Sequence, residues 1–304
     1  MNDRKPLDLT AFLYIVLLCS LWGGQQVLFK LTIHDIHPNM QIAMRSGIGF
    51  VLLAAFMWQK GVSLALWRGP WRAGTMVGSL FALEWWMIGE ALQYSSASHV
   101  VVFLYTAPIF TLLGLHVWRP DERLNWWQWL GVLICFSGIG LAFLGSSAAT
   151  QVDPQMWLGD CLALGGGVLW AATTVITRCS GLARIHPTQT TMYQLLIGAV
   201  VILLLCLVLA ETEIRWSPFL VASIVGQGVV ISFFCLLVWI WLLRHYLASR
   251  VSIFTFIAPL IGVGLSVWLL DEPLHSEFVW GALMVMAGVV LVNLAPQTRR
   301  LNGA

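Results

Sequence analysis

Apolar stretches of roughly 20 residues, each long enough to cross a hydrocarbon core of about 30 Å, recur from one end of this 304-residue chain to the other. Only short connections separate them, so no segment is left to build a water-facing domain. With 59% hydrophobic and 10% charged residues, the chain lacks the polar surface a soluble domain needs. The runs fall near residues 9–31, 38–58, 73–94, 97–118, 126–145, 157–178, 187–210, 217–243, 249–270 and 278–295, which gives ten expected spans. The first run is too long, and too poor in small residues at its end, for a cleaved signal peptide, so it reads as a retained helix.

Charge placement sets the expected orientation. With the amino terminus in the cytoplasm, the inner segments collect Arg4, Lys5, Lys60, Arg68, Arg72, Arg119, Arg123, Arg178, Arg184, Arg244, Arg250, Arg299 and Arg300, thirteen of the 16 Lys and Arg residues. Lys30 and Arg215 fall outside and Arg45 within the second span; the reverse orientation would break the cytoplasmic excess of basic residues at nearly every loop. Both termini are therefore expected in the cytoplasm, with the loops at 146–156 and 271–277 external. The six cysteines (Cys19, Cys135, Cys161, Cys179, Cys206, Cys235) form no CxxC pair and have no histidine at metal spacing. They read as packing residues, and no metal or cofactor is expected.

The chain also repeats itself. Leu124, Gly131, Gly138, Leu141 and Leu144 return at a constant offset as Leu274, Gly281, Gly288, Leu291 and Leu294. Trp118, Asp121 and Glu122 return as Trp268, Asp271 and Glu272. After a one-residue slip, Ala97, Ser98, Val100, Phe103, Ala107 and Pro108 return as Ala248, Ser249, Val251, Phe254, Ala258 and Pro259. Leu21, Trp22 and Lys30 correspond to Leu169, Trp170 and Arg178. Five spans per repeat is an odd number, so the second copy must enter from the opposite side. The expected fold is an all-α membrane protein of ten transmembrane helices in two inverted five-helix repeats, residues 1–150 and 151–304. Such repeats recur in secondary transporters, with the site at their interface.

The same residues carry a family resemblance. Trp22-Gly23 with Lys30, the run Ala91-Leu92-Gln93-Tyr94-Ser95-Ser96-Ala97-Ser98, Ala107-Pro108, and Asp121-Glu122-Arg123-Leu124 before a glycine-spaced helix resemble the EamA family of the drug/metabolite transporter superfamily over essentially the whole chain. The resemblance implies an inner-membrane carrier, commonly an exporter of amino acids, related metabolites or toxic compounds, with a central cavity formed by both halves. It implies a small-molecule substrate and the lipid bilayer as partners, no nucleic acid, and a monomer or homodimer. The second repeat keeps Asp271-Glu272 but has Pro273 where the first has Arg123, so the charge pairing of the two loops is not expected to be symmetric.

Several residues could carry transport. Trp22, Gln25, Gln26 and Phe29 share one helix face, and Trp170, Thr173, Thr174 and Thr177 occupy the matching face in the other repeat. Amides and hydroxyls facing lipid would go unsatisfied, so these stripes face either a cavity or a neighbouring helix. Glu84 lies near the middle of the third span, where an ionised carboxylate needs a partner or a function. It can exchange a proton, bind an ammonium group, or serve as a protonated interhelical bridge; the aligned region of the second repeat, Leu236 to Val238, has no acid. Trp85, Trp86 and Trp239 are deep enough to line a cavity, and the substrate contacts are assigned to Trp22, Gln25, Gln26, Glu84, Trp85, Tyr105, Trp170, Thr173, Thr174 and Trp239. Arg45 and Glu90 lie within about 5 Å of each other in depth at 1.5 Å rise per residue, so they could pair as a bridge or an outer gate. Pro108 and Pro259 break equivalent helices as hinges or static kinks, and Gly165, Gly166 and Gly167 permit bending or close packing. Lys30, Asp160 and Arg178 are expected to reach the interfaces.

An enzyme is disfavoured: there is no HExxH, and Gly264-Leu265-Ser266 is followed by Val267 and Trp268 rather than completing GxSxG. No GxxxxGK[ST] loop exists to bind ATP. A secondary exporter of amino acids or related metabolites leads, with proton coupling through Glu84; a cationic-drug exporter and a lipid translocase are the alternatives.

Overall fold

The computed structural model describes residues 8–66, 69–118, 124–149, 155–246 and 257–294. The expectations for Arg4, Lys5, Arg68, Arg119, Asp121, Glu122, Arg123, Ala248, Ser249, Arg250, Val251, Phe254, Arg299 and Arg300, and for the boundary at 150–151, lie outside the described residues. Among those described, the chain is almost entirely helical, and Ile36 and Ile214 form an isolated antiparallel bridge.

The helices are α1 (Leu9–Leu31), α2 (Pro38–Gln59), α3 (Trp71–Tyr94), α4 (Ala97–Leu104), α5 (Ala107–Trp118), α6 (Trp126–Ala149), α7 (Met156–Cys179), α8 (Pro187–Val208), α9 (Pro218–Gly226), α10 (Leu236–His245), α11 (Ile257–Leu270) and α12 (Ser276–Leu294). A π-helical segment, Gln227–Cys235, joins α9 to α10. Six stretches are long and apolar enough to cross a membrane: α1, α2, Ala97–Trp118, α7, α8 and Pro218–Leu242. Trp126–Ala142, Ile257–Leu270 and Ser276–Val292 are shorter apolar helices. α3 has comparable length, but its tryptophans and two glutamates lower its hydropathy.

Local sequence explains the ends. Asp8, Ser96 and Ser217 cap α1, α4 and α9 with side-chain oxygens, and Pro38, Pro187 and Pro218 occupy first-turn positions whose N–H needs no partner. Between α4 and α5 the helix breaks before Pro108, which has no N–H to give. There the Thr106 hydroxyl donates to the Phe103 carbonyl at 2.6 Å, and the Ile109 N–H returns to the Thr106 carbonyl at 2.9 Å.

The repeated glycines meet one another where α6 crosses α12. A Cβ on Gly138 would lie 2.7 Å from the Gly281 carbonyl oxygen, and one on Gly281 would lie 2.6 Å from that of Gly138. Gly131 and Gly288 show the same reciprocity at 2.8 and 2.5 Å. The pairing 131 with 288 and 138 with 281 runs antiparallel, and in lipid such backbone approach is what small residues supply. α1 lies against α11, α2 against α8, and α7 against α3, α4 and α5. Gly165, Gly166 and Gly167 serve this packing: Cβ atoms there would meet Met87, Ile88 and the carbonyl oxygens of Phe103 and Leu104.

At the end of the bundle holding the α1–α2 and α8–α9 turns, buried polar groups tie the helices together. Thr32 donates to Gln41 Oε1 at 2.7 Å, Gln41 donates to Ser223 at 2.9 Å, and Gln227 donates to Ser223 at 3.1 Å. Asp160 departs from expectation. Instead of reaching an interface it is fully buried, accepts from Ser95 at 2.5 Å and lies 2.9 Å from His99 Nδ1, because the close approach of α7 to α3 and α4 encloses it. Glu272 holds the amino end of α4, accepting from the N–H groups of Ala97 and Ser98 at 2.7 and 3.0 Å and from the Ser98 hydroxyl at 2.7 Å. Cys19, Cys135, Cys206 and Cys235 are buried and Cys161 and Cys179 exposed, all as free thiols. Trp58, Trp71, Trp118, Trp126, Trp127, Trp157, Trp216 and Trp280 are exposed, as a membrane-interface belt requires.

Candidate functional site

The helices enclose a cavity of about 620 Å³, within the range of small-molecule sites. Its walls come from both halves: Trp22, Gln25 and Gln26 of α1, Arg45 and Ser46 of α2, Phe81, Glu84 and Trp85 of α3, Tyr105 and Pro108 at the α4–α5 break, Trp170 and Thr174 of α7, Gln194 of α8, and Ser232, Leu236 and Trp239 of the π segment and α10. The lining runs from mid-helix residues such as Glu84 to Arg178 and Thr191, which flank the α7–α8 connection. Thr32, Gln41, Ser223 and Gln227, toward the other end of the bundle, are not in its lining.

The floor is charged on one side only. Arg45 is 3% exposed; its Nη1 donates to Gln25 Oε1 at 2.8 Å, and its guanidinium carbon lies 4.0 Å from the centroid of a Trp85 ring and 5.4 Å from that of Phe29. This is a cation–π seat. Glu84, 4% exposed, is near enough for its charge to act on Arg45, yet no ion pair joins the two among the described residues. Glu84 Oε2, Arg45 Nε, Gln26 Oε1 and Trp85 Nε1 are enclosed without hydrogen-bond partners. Unsatisfied buried polar atoms are uncommon in native folds, and four of them converge here. The aromatic walls pack edge to face, Trp22 on Trp239 with centroids 5.5 Å apart and Tyr105 on Trp170 at 5.5 Å.

The structure therefore brings together Trp22, Gln25, Gln26, Glu84, Trp85, Tyr105, Trp170, Thr174 and Trp239. Thr173 is not in the wall. Its hydroxyl donates to the Trp170 carbonyl at 2.7 Å, as that of the wall residue Thr174 does at 3.0 Å, and Thr177 donates to the Thr173 carbonyl at 2.7 Å, so all three hydroxyls are taken up by their own helix. Phe29 is buried beneath Arg45. Pro108 borders the cavity, whereas Pro259 is buried in the first turn of α11.

The expected Arg45–Glu90 pair does not form. Depth along the axis put the two residues level, but Arg45 turns inward to Gln25 and Trp85, while Glu90 accepts from Asn39 Nδ2 at 2.6 Å and lies 4.0 Å from His37. Arg178, expected at an interface, lines the mouth. Ser46, Gln194 and Ser232 were missed; single polar residues in apolar helices give no stripe by which to recognise them.

A cavity between apolar helices of both halves, with a few convergent polar groups, is the kind of site that takes a small molecule. The model of the "EamA-like transporter family" matches residues 9–144 and again 157–294. The chain belongs to that family and is a multi-pass membrane transporter built as two repeats. It is 24% identical over 289 residues to the "Uncharacterized transporter YoaV" of Bacillus subtilis, covering 94% of this chain and 98% of the relative. It is 24% identical over 291 residues to the "Probable amino-acid metabolite efflux pump" of Escherichia coli, covering 91% and 92%. A solved crystal structure matches the fold with a TM-score of 0.66 at 20% identity, covering 93% of this chain and 97% of the other.

Proposed function

We propose that this chain is a secondary active transporter of the inner membrane, exporting amino acids or related small metabolites by alternating access. Ten spans in two inverted repeats are the architecture of this reading. The antiparallel Gly131–Gly288 and Gly138–Gly281 contacts support the inversion, and the basic residues support cytoplasmic termini. In that orientation the α7–α8 connection is cytoplasmic, so the cavity is open to the cell interior, as an exporter awaiting its load requires.

The observation that carries the reading is the unjoined pair at the cavity floor. An amino acid brings one ammonium and one carboxylate. Arg45 and Glu84 both border the cavity; their enclosed, unpartnered Nε and Oε2 serve as donor for the carboxylate and acceptor for the ammonium once the side chains turn toward the substrate, and the tryptophan walls cover the apolar remainder. Charge-assisted hydrogen bonds are the stronger class, so an ordered zwitterion gains at both ends what water would otherwise supply. A proton on Glu84 competes with the ammonium group, which couples substrate release to proton uptake on the outer side. Proton antiport then follows without ATP.

Export of organic cations is the second reading, favoured by the aromatic walls around a carboxylate. Arg45 opposes it, since a substrate without a carboxylate leaves a guanidinium beside its own positive charge. Counterflow by purified protein in liposomes separates the two. Amino acids should accelerate exchange of a labelled amino acid, and organic cations should not; the reverse ranking would replace the first reading by the second, and exchange of neither, with relocation of labelled lipid, would replace both by the translocase.

A further inference from the structure

The closed end of the bundle holds a second polar cluster that the carrier reading does not use. His37 caps α2, Glu90 lies about one turn before the end of α3, and Glu211 follows α8. One donor atom from each lies within 4.8 Å of the others. His37 Nδ1 is 3.2 Å from Glu211 Oε2, and His37 Nε2 is 4.0 Å from Glu90 Oε1. The side chains are only 15–21% exposed, a shallow recess open to water.

The hydrogen bonds around this recess leave it incomplete. His37 Nδ1 accepts the Asn39 backbone N–H at 3.3 Å, so in that tautomer it has no proton for Glu211, and its single lone pair becomes a metal ligand by giving up that helix cap. Glu211 Oε2 accordingly is enclosed with no hydrogen-bond partner. Asn39, 0% exposed, aims its amide into the cluster, donating to Glu90 Oε1 at 2.6 Å, while its own Oδ1 has no partner. Nδ1 and the Glu211 carboxylate oxygen thus stand 3.2 Å apart with no proton between them in that tautomer, and Glu211 Oε2 and Asn39 Oδ1 are left without partners; a bound ion is one of the standard resolutions of such a group. The donor set selects the kind of ion. Oxygen-only sites suit Mg²⁺ and Ca²⁺, whereas one imidazole with two carboxylates suits a borderline divalent metal, with tetrahedral Zn²⁺ the closest fit.

We propose that His37, Glu90 and Glu211 form a divalent-cation site, best matched to Zn²⁺, that clamps the two halves together at the closed end of the cavity. Half a turn of the Asn39 amide brings its orphaned Oδ1 round as a fourth ligand and removes the donor that now occupies Glu90. The clamp spans both repeats: α2 and α3 belong to the first, the segment after α8 to the second. The same two loops are already joined by the Ile36–Ile214 bridge and by the Arg215 N–H, which donates to the Asp35 carbonyl at 2.8 Å. Opening toward the outside must part them, so the bound cation slows turnover. Binding itself does not depend on the transport reading.

The test uses the purified full-length protein in detergent, titrated with ZnCl₂ and followed by calorimetry and thermal unfolding. His37→Asn keeps a side-chain oxygen to cap α2 and removes the imidazole; Glu211→Gln keeps shape and removes the charge. Zn²⁺ should raise the unfolding temperature of the parent, and its affinity should fall at least about tenfold in each variant, as loss of a group supporting a metal site does. Equal Zn²⁺ affinity in parent and variants, no binding to the parent, or an equal response to MgCl₂ overturns the site. In liposomes, Zn²⁺ should slow exchange by the parent and spare both variants. Zn²⁺ that binds through these residues but leaves exchange unchanged overturns the clamp, and absence of any transport activity fails the carrier reading while the calorimetry still decides the site.

Discussion

α3 is an uninterrupted 24-residue α-helix that lies along α7 and α8, whereas the helix in the corresponding place of the second half, residues 218–245, passes through nine residues of π-helix and meets α1 at few points. Both send side chains into the cavity. The first contributes Phe81, Glu84 and Trp85; the second contributes Ile231, Ser232, Leu236 and Trp239, with no acid at all. π segments are rare and are frequently found at functional sites. Duplication therefore supplied the frame, and divergence put the cavity's carboxylate in one half and the irregular backbone in the other. The glycine contacts of α6 and α12 mark the opposite extreme, where the two copies have kept the same residues because each is the other's partner.

The sharpest way to break this comparison is to remove the charge that faces Glu84. Arg45→Gln should cut exchange of an amino acid roughly 10- to 100-fold, the loss expected for a hydrogen bond to a charged group worth about 1.5–3 kcal/mol, while leaving any organic-cation exchange intact or improved. Equal losses for both substrate classes, measured as kcat/KM in liposomes, would make Arg45 a scaffold residue. The aromatic walls draw on both halves, so Trp22→Ala and Trp170→Ala should each weaken exchange, by about tenfold, with folding and insertion nearly unchanged. Edge-to-face pairs contribute about 0.5–1.5 kcal/mol beyond their area, which sets that scale. Unaltered kinetics in both variants would move these rings to packing. The smallest effect is expected at Thr173→Val, under about twofold, because Thr173 lies outside the cavity wall; Thr174→Val, in the wall, should exceed it although both hydroxyls bond the Trp170 carbonyl. A larger effect at Thr173 than at Thr174 would reverse the assignment of faces.

Much of this was legible in the sequence because lipid imposes so few solutions. Apolar length located the helices, and the glycine offset identified two repeats before any coordinate was known. The two stripes on α1 and α7 pointed to the cavity, since polar side chains at helical spacing have few places to go. Spacing could not distinguish Thr173, which lies behind the wall, from Thr174, which lines the cavity, although both hydroxyls bond the Trp170 carbonyl. Depth likewise could not pair Arg45: two residues at one level can face opposite ways, and azimuth depends on packing against α1 and α3. Asp160 was misread for a similar reason, since its distance from the helix end suggested an interface while the approach of α4 buried it. The π segment left no periodic signal because it spans nine residues between two ordinary helices.

The central claim is that Glu84 carries the coupling for both halves. With a pH gradient imposed across liposomes holding the parent protein, labelled amino acid should accumulate against its concentration, and without the gradient it should only equilibrate. Glu84→Gln keeps the shape and hydrogen-bonding capacity of the side chain and cannot titrate; it should lose accumulation altogether while retaining downhill exchange. Accumulation by Glu84→Gln equal to that of the parent would contradict the account and leave Glu84 as an interhelical hydrogen-bonding group.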